Sequence, residues 1–150
     1  MQRRQDWLLL FLGAEGGHLP TDQIRVMKGM FLLDRTDGHP AHGLYHFEAY
    51  DYGPFDSTVY RDLDALQLQG LVRVTRHVGS SRKTYELTDA GRAMFAELVD
   101  STPPDHLDLV RGAKERVTSL GFEELLEQIY EEYPEYAKKS VARVRRTGIQ

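Results

Sequence analysis

Basic residues flank a short glycine-serine turn near the middle of the chain. Arg76 precedes the turn at residues 78–81, and Arg82 and Lys83 follow it. Cationic side chains at the tip of a hairpin can neutralise the phosphates on either side of a nucleic-acid groove. This spacing predicts electrostatic binding to a phosphate backbone. The other interpretation is a solvated turn whose charges serve only solubility.

An amphipathic helix is predicted before that turn, at about residues 56–69. Its apolar positions recur at i, i+4 and i+7, which places them on one helical face. Ser57 or Asp56 can cap the helix, because either side chain can accept a hydrogen bond from a free backbone N–H. Gly70 can end it in the left-handed conformation. The apolar face consists of Val59, Leu63 and Leu66.

The outward face of this helix carries side chains that suit phosphate and base-edge contacts. These candidates are Ser57, Thr58, Tyr60 and Arg61. We expect Asp62 to point outward among them, and with Asp56 and Asp64 it makes the helix acidic. Carboxylates beside phosphates lower affinity for a nucleic acid. Two hypotheses therefore stay open: the helix enters a DNA major groove, or the domain is a scaffold that binds a protein.

The segments around this helix have a recognisable order. Residues 71–76 and 83–87 are predicted to be two strands of a hairpin, and Thr88 is expected to cap a further helix. Earlier in the chain, the pattern predicts a helix at residues 3–13 and a second helix capped by Thr21. Residues 43–51 alternate in hydrophobicity and predict a strand.

With these elements in place, the chain resembles the PadR and MarR winged-helix regulators. The similarity lies in residues 57–72 and in the run Tyr85-Glu86-Leu87-Thr88-Asp89-Ala90-Gly91-Arg92. Residues 50–56 and 130–140 resemble the YwgA-like winged-helix proteins. The resemblance implies an α+β winged helix-turn-helix fold with a β-hairpin wing and a C-terminal helical extension. It makes residues 56–69 the recognition helix and residues 73–87 the wing.

A proline pair, Pro103-Pro104, marks the predicted boundary between two parts of the chain. Residues 1–102 form the winged helix-turn-helix domain and residues 103–150 the helical extension. The extension is predicted to hold helices at residues 105–119, 122–132 and 134 to about 146. In winged-helix regulators such appended helices commonly form the dimer interface, so the resemblance implies a homodimer.

Composition narrows the class of protein. The chain has 150 residues, a net charge of −4 and no cysteine, which excludes disulfides, zinc–thiolate sites and a cysteine nucleophile. No signal peptide and no apolar run near the ~20 residues of a membrane helix is apparent, so a cytoplasmic location is expected. The charge is uneven: residues 105–135 hold nine acids and three bases, whereas the tail from Tyr136 holds five bases and no acid.

Neither a metal site nor an enzyme is favoured. His39, His42 and His46 offer imidazole ligands near Glu48, but their run crosses from a loop into a predicted strand. Nothing places the three rings on one side, so ordinary loop histidines are the better interpretation. The sequence has no nucleophile elbow and no phosphate-binding loop. We expect no catalytic residues and no cofactor.

An aromatic cluster precedes the recognition helix and has two interpretations. It could line a ligand pocket between the strand and the helices, or it could be part of the core. The core is the better interpretation for most of its members. The cluster consists of Tyr45, Phe47, Tyr50, Tyr52 and Phe55.

The combined prediction is a transcriptional regulator that binds double-stranded DNA as a homodimer. The competing hypothesis is a protein-interaction module, such as an adaptor or an antitoxin-like component, with the acidic residues 123–135 as its contact surface. Salt dependence separates the two, because binding to phosphates weakens steeply as salt rises. The predicted DNA contacts are Ser57, Thr58, Tyr60, Arg61, Arg76, Arg82 and Lys83.

Overall fold

The computed structural model describes residues 2–14 and 19–139. Within them, six α-helices and five short strands precede a final 3-10 turn at Pro134–Ala137. In chain order these elements are α1 (Arg4–Gly13), β1 (Thr21–Asp22), α2 (Gln23–Asp34), β2 (Glu48–Tyr50), β3 (Gly53–Phe55), α3 (Ser57–Leu68), β4 (Val72–Arg76), β5 (Lys83–Leu87), α4 (Asp89–Asp100), α5 (Pro104–Ser119) and α6 (Phe122–Glu132).

Two small antiparallel sheets organise the strands. The first has the order β1-β5-β4, and its β4–β5 hairpin runs in register from Val72 opposite Leu87 to Arg76 opposite Lys83. The second is the hairpin of β2 and β3, which lies between α2 and α3 in the chain. Three helices followed by a hairpin that pairs with a short strand before α2 form a winged helix. The predicted α+β fold class is therefore confirmed.

The core extends from α1 through α2 to the C-terminal helices. From Asp6 to Gly13, α1 is buried on every side, which explains why its sequence has no polar face. Val117 of α5 and Leu126 of α6 are fully buried in the same hydrophobic cluster as Phe11 and Phe31. The apolar faces of α5 and α6 are thus used within the protomer. None of the described helices is long and apolar enough to cross a membrane.

A buried lysine joins α5 to the end of α1. Lys114 Nζ donates to the carbonyl oxygens of Phe11, Leu12 and Ala14 at 3.0, 3.0 and 3.1 Å. The last carbonyls of a helix have no partner within the helix and carry partial negative charge. The ammonium group of Lys114 donates hydrogen bonds to these carbonyl oxygens and also compensates their partial negative charge.

The predicted boundaries of α3 are confirmed. Asp56 is the N-cap, and its Oδ1 accepts a hydrogen bond from Thr58 N at 2.9 Å. Gly70 has φ +79° after the C-cap, and the backbone N–H of Leu71 donates to the carbonyl oxygen of Leu66 at 3.0 Å. This closure is the Schellman arrangement that a glycine at this position permits.

Three other predictions about elements need correction. The cap of α2 is Asp22, which accepts from Arg25 N, whereas Thr21 pairs with Tyr85 in the sheet. The predicted strand at residues 43–51 is reduced to β2, because residues 40–43 are in turns, residues 44–45 are in a bend and Gly43 has a positive φ. The last helix begins as a 3-10 turn at Pro134–Ala137, and its continuation lies outside the described residues.

Gly91 allows α4 to lie close to the backbone of Leu71, just before the wing. This close approach leads to a prediction about stability. An added Cβ at Gly91 would lie 2.0 Å from the Leu71 carbonyl oxygen, a backbone atom that cannot move aside cheaply. We expect Gly91→Ala to lower the free energy of unfolding by about 2–3 kcal/mol. Gly112→Ala on α5 is the matched control, since no atom lies within 4 Å of its Cβ. The control should gain about 0.5–1 kcal/mol from helix propensity. Urea denaturation measures both, and equal effects would contradict this account.

Candidate nucleic-acid interface

The wing is the hairpin of β4 and β5, with its tip at residues 77–82. Local hydrogen bonds shape the tip, since His77 N donates to the Arg82 carbonyl at 3.2 Å and Arg82 N donates to Ser80 Oγ at 2.9 Å. Arg76 and Lys83 are opposite each other where the strands end. Arg76 and Arg82 are exposed and Lys83 is half-buried. The structure thus brings all three predicted wing cations to one end of the hairpin.

The tip also exposes an apolar side chain that sequence reasoning passed over. Val78 is fully exposed between His77 and Gly79. An apolar residue flanked by cations at a wing tip has the composition of side chains that enter a minor groove. The signal was present in the sequence as a valine in an otherwise polar turn.

The side chains of α3 that were predicted to contact DNA differ in their exposure to solvent. Val59, Leu63 and Leu66 are buried as predicted. Ser57 and Arg61 are exposed near the start of the helix, and Arg61 donates to Thr58 Oγ1 at 2.9 Å, which leaves Thr58 half-buried.

Tyr60, another predicted DNA contact, is half-buried and packs against the rest of the protein. Its ring packs edge-on against Phe55 with centroids 5.6 Å apart, and its hydroxyl donates to the Gln23 carbonyl oxygen at 3.4 Å. Burial raises the pKa of the Tyr60 hydroxyl, and the nearby Tyr85 and Asp22 raise it further. The side chain of Tyr60 therefore joins α3 to the start of α2.

The prediction that Asp62 faces outward is wrong. Asp62 is buried, and its carboxylate accepts two hydrogen bonds from Arg4 of α1, at 2.7 and 3.0 Å. The hydroxyl of Tyr45 donates to it at 2.6 Å, and Gln5 Nε2 donates at 3.4 Å. The hydrogen bond with Asp62 is the main reason that the pKa of Arg4 is raised. A buried carboxylate is stable only with such compensation.

The other carboxylates of the helix also matter for its surface charge. Partial burial acts to raise the pKa of Asp56, but hydrogen bonds from the backbone of His46 and from Thr58 outweigh it, and the pKa is lowered overall. Asp56 is therefore a charged cap whose oxygens are already engaged. Asp64 remains exposed beside the exposed Arg61. The outward face is less acidic than the sequence predicted.

Gln23 positions the wing relative to both helices. Its Nε2 donates to the Ser81 carbonyl oxygen at 3.0 Å, and its Oε1 accepts from Lys83 N at 2.5 Å. Its own carbonyl oxygen accepts from Tyr60. Sequence reasoning missed Gln23, because its partners lie 37 to 60 residues away and no local pattern marks it.

The histidines of the predicted loop have structural partners. His39 is buried, and its Nδ1 accepts from Ala41 N at 2.9 Å, while burial lowers the pKa of its ring. His42 Nδ1 lies 2.5 Å from the Asp34 carbonyl oxygen. Within residues 2–14 and 19–139, no group of three or more histidine or acidic residues is arranged to hold a metal ion.

The buried Asp62 carboxylate generates a second prediction. Removing it leaves Arg4 and the Tyr45 hydroxyl without their acceptor at the junction of α1 and α3. We expect Asp62→Ala to lower the free energy of unfolding by about 2–4 kcal/mol, toward the lower end because Arg4 is partly exposed. Asp64→Ala, two positions along the same helix and exposed, should change it by less than about 0.5 kcal/mol. Similar values for the two variants in urea denaturation would refute the central role of Asp62.

Comparison with known proteins agrees with this geometry. Residues 32–97 match the model of the Transcriptional regulator PadR-like family. The match runs from the end of α2 through α3 and the β4–β5 hairpin into α4. No match was found among curated proteins. The similarity to MarR regulators and to the YwgA-like proteins stays a prediction. The predicted resemblance to the PadR family is confirmed over residues 32–97, the segment that matches the family model.

Proposed function

We propose that this protein binds double-stranded DNA through α3 and the wing and regulates transcription from the bound site. The proposal rests mainly on the wing. Its cations Arg76, Arg82 and Lys83 lie together at one end of the β4–β5 hairpin. Cations grouped in this way neutralise phosphates and release counterions, which drives nucleic-acid binding. The match to a family of transcriptional regulators supports the same conclusion.

The surface of α3 supports a contact in the major groove. Ser57, Thr58 and Arg61 near its N-terminus have the donors that phosphates and base edges accept. The burial of Asp62 removes the strongest objection, since a charge compensated by Arg4 inside the protein repels a phosphate far less than an exposed one. In this arrangement Tyr60 acts by positioning α3, through Gln23, more than by reaching the DNA.

The same proposal includes a homodimer and the division of the chain into a winged helix-turn-helix domain, residues 1–102, and a helical extension, residues 103–150. The uneven charge also leads us to expect that the basic tail pairs with the acidic α6, but Arg143, Arg145 and Arg146 lie outside the described residues. Leu109 of α5 is one of the exposed large apolar side chains and is a starting point for mapping a dimer contact.

The wing cations generate a prediction about salt dependence. The affinity for a labelled random-sequence duplex, measured by fluorescence anisotropy, should fall steeply between about 50 and 200 mM salt. In Arg82→Ala, the loss of one phosphate contact should reduce the slope of log affinity against log salt by about one. Arg111→Ala on α5 makes the same change in net charge outside the wing and should leave the slope unchanged.

Two outcomes of this experiment count against the proposal. Equal slopes for the two variants would show that net charge, and not the wing, determines the affinity. No binding at low salt would favour the competing hypothesis, a protein-interaction module whose acidic residues 123–135 contact a partner.

Gln23 generates a prediction that does not depend on charge. Gln23→Ala removes two hydrogen bonds that hold the wing tip, each worth about 0.5–1.5 kcal/mol. We expect affinity for the duplex to fall about 5-fold while the salt slope is unchanged, because no phosphate contact is lost. Gln128→Ala on α6, which removes an amide bonded to Arg116, is the control and should bind as the wild type. A changed salt slope in Gln23→Ala would contradict the interpretation that Gln23 acts only by holding the wing tip in position.

A further inference from the structure

Two lysines are buried among the described residues, and their surroundings differ sharply. Lys114 donates to three carbonyl oxygens at the end of α1. Lys28 of α2 is 3% exposed, yet within the described part of the chain its Nζ has neither a hydrogen-bond acceptor nor an ion-pair partner. Desolvating an ammonium group without supplying an acceptor is costly, so the position of Lys28 needs an explanation.

Lys28 lines a cavity that connects the parts of the proposed DNA-binding surface. The cavity has a volume of about 180 Å³ and lies between α2, the β2–β3 hairpin, α3 and the tip of the wing. Its lining includes four aromatic side chains, Tyr50, Tyr52, Phe55 and Tyr60, beside the polar Gln23, Asp51 and Ser81. Tyr50 and Tyr52 are about half exposed, so the cavity opens to solvent beside them.

Gly53 keeps the space beside the amine open. It has φ +92°, and an added Cβ would lie 3.3 Å from Lys28 Cε and 3.7 Å from Nζ. A side chain at this position would therefore crowd the lysine as well as strain the backbone. The tight turn between β2 and β3 thus allows Nζ to face the cavity.

The electrostatic environment favours the neutral amine. Desolvation lowers the pKa of Lys28 to about 7, and the charge of Asp22 only partly opposes this effect. The ionisable groups around the cavity are Asp51 and the hydroxyls of Tyr50, Tyr52 and Tyr60, so no second cation faces Lys28 from these elements. A neutral lysine amine in an apolar site is a nucleophile.

These surroundings discriminate between classes of ligand. A bound organic anion would find an amine whose charged form is disfavoured by burial, and it would face the carboxylate of Asp51. A neutral carbonyl compound meets no such repulsion, and an aromatic ring on it would pack against the aromatic walls. The chemistry of the cavity therefore fits an uncharged aromatic aldehyde best.

We propose that this cavity captures a small aromatic aldehyde as an imine on Lys28. The lone pair of Nζ attacks the carbonyl carbon and gives a carbinolamine. Loss of water, formed from the carbonyl oxygen and the two amine protons, leaves a carbon–nitrogen double bond. No oxidant or reductant is consumed, and hydrolysis reverses the step.

Capture at Lys28 would reach the wing through residues that share the cavity. Gln23, Tyr60 and Ser81 all line it, and Gln23 bonds the Ser81 carbonyl oxygen while accepting from Tyr60. A ring placed among them would shift the brace that positions the wing. This regulatory consequence rests on the proposed function, whereas the chemistry at Lys28 does not.

Reductive trapping tests the chemistry without DNA. The full chain is incubated with benzaldehyde and sodium cyanoborohydride near neutral pH, and peptide mapping locates the benzyl groups. We expect Lys28 to be labelled at least ~10-fold faster than the exposed Lys138 and Lys139, because desolvation favours the neutral, nucleophilic form of its amine. The terminal amine also titrates near neutral pH and is scored separately. Preferential labelling of Lys138 and Lys139 would overturn the proposal.

Formaldehyde tests whether the preference for Lys28 comes from the aromatic walls of the cavity or only from the reactivity of the amine. It has no ring, so the preference for Lys28 over the exposed lysines should be smaller than with benzaldehyde. An equal preference for the two aldehydes would overturn selection by the aromatic walls. Lys28→Arg, which keeps a cation but cannot form the imine, should lose the rapid labelling while its circular dichroism stays that of the wild type.

The link to the wing has its own measurement. Duplex affinity is compared before and after trapping, with Lys28→Arg treated identically as the control. A severalfold change in the wild type alone supports the coupling, and unchanged affinity overturns it. If the untreated protein binds no DNA, the proposed function fails while the labelling result at Lys28 still decides the chemistry.

Discussion

The first helix is held at both ends by a buried charge from a later part of the chain. At its start, Arg4 of α1 binds the carboxylate of Asp62 of α3. At its end, Lys114 of α5 binds the last carbonyl oxygens. From Trp7 to Gly13, α1 has no polar side chain and can be stable only when other elements surround it. The positions of α3 and α5 relative to α1 are therefore fixed together.

This constraint shapes the proposed DNA-binding surface. Because Asp62 must turn toward Arg4, the opposite face of α3 presents Ser57 and Arg61 outward. The wing is oriented by a different kind of contact, the neutral amide of Gln23, which bonds the backbone at Ser81 and Lys83, where the turn meets β5. Charge thus positions the helix, and hydrogen bonding to the backbone positions the hairpin.

The β2–β3 hairpin adds a feature that follows from the same packing. It lies between α2 and α3 in the chain and contributes Tyr50, Tyr52 and Phe55 to the walls of a cavity beside α2. Lys28 faces that cavity without the acceptors that Lys114 has. The contrast shows that burial alone does not decide the state of a lysine, since the groups that surround it determine whether the charge is compensated.

The sequence by itself determined the elements whose causes are local. The cap at Asp56, the apolar face of α3, the left-handed Gly70 and the hairpin at residues 72–87 all arise from contacts within a few residues, so their patterns are visible in the chain. Tertiary structure alone decided the rest. Asp62 turned inward for a cation 58 residues away, Thr21 became a strand residue to pair with Tyr85, and Gln23 met the wing. Such contacts depend on which elements pack together, and no local spacing encodes that choice.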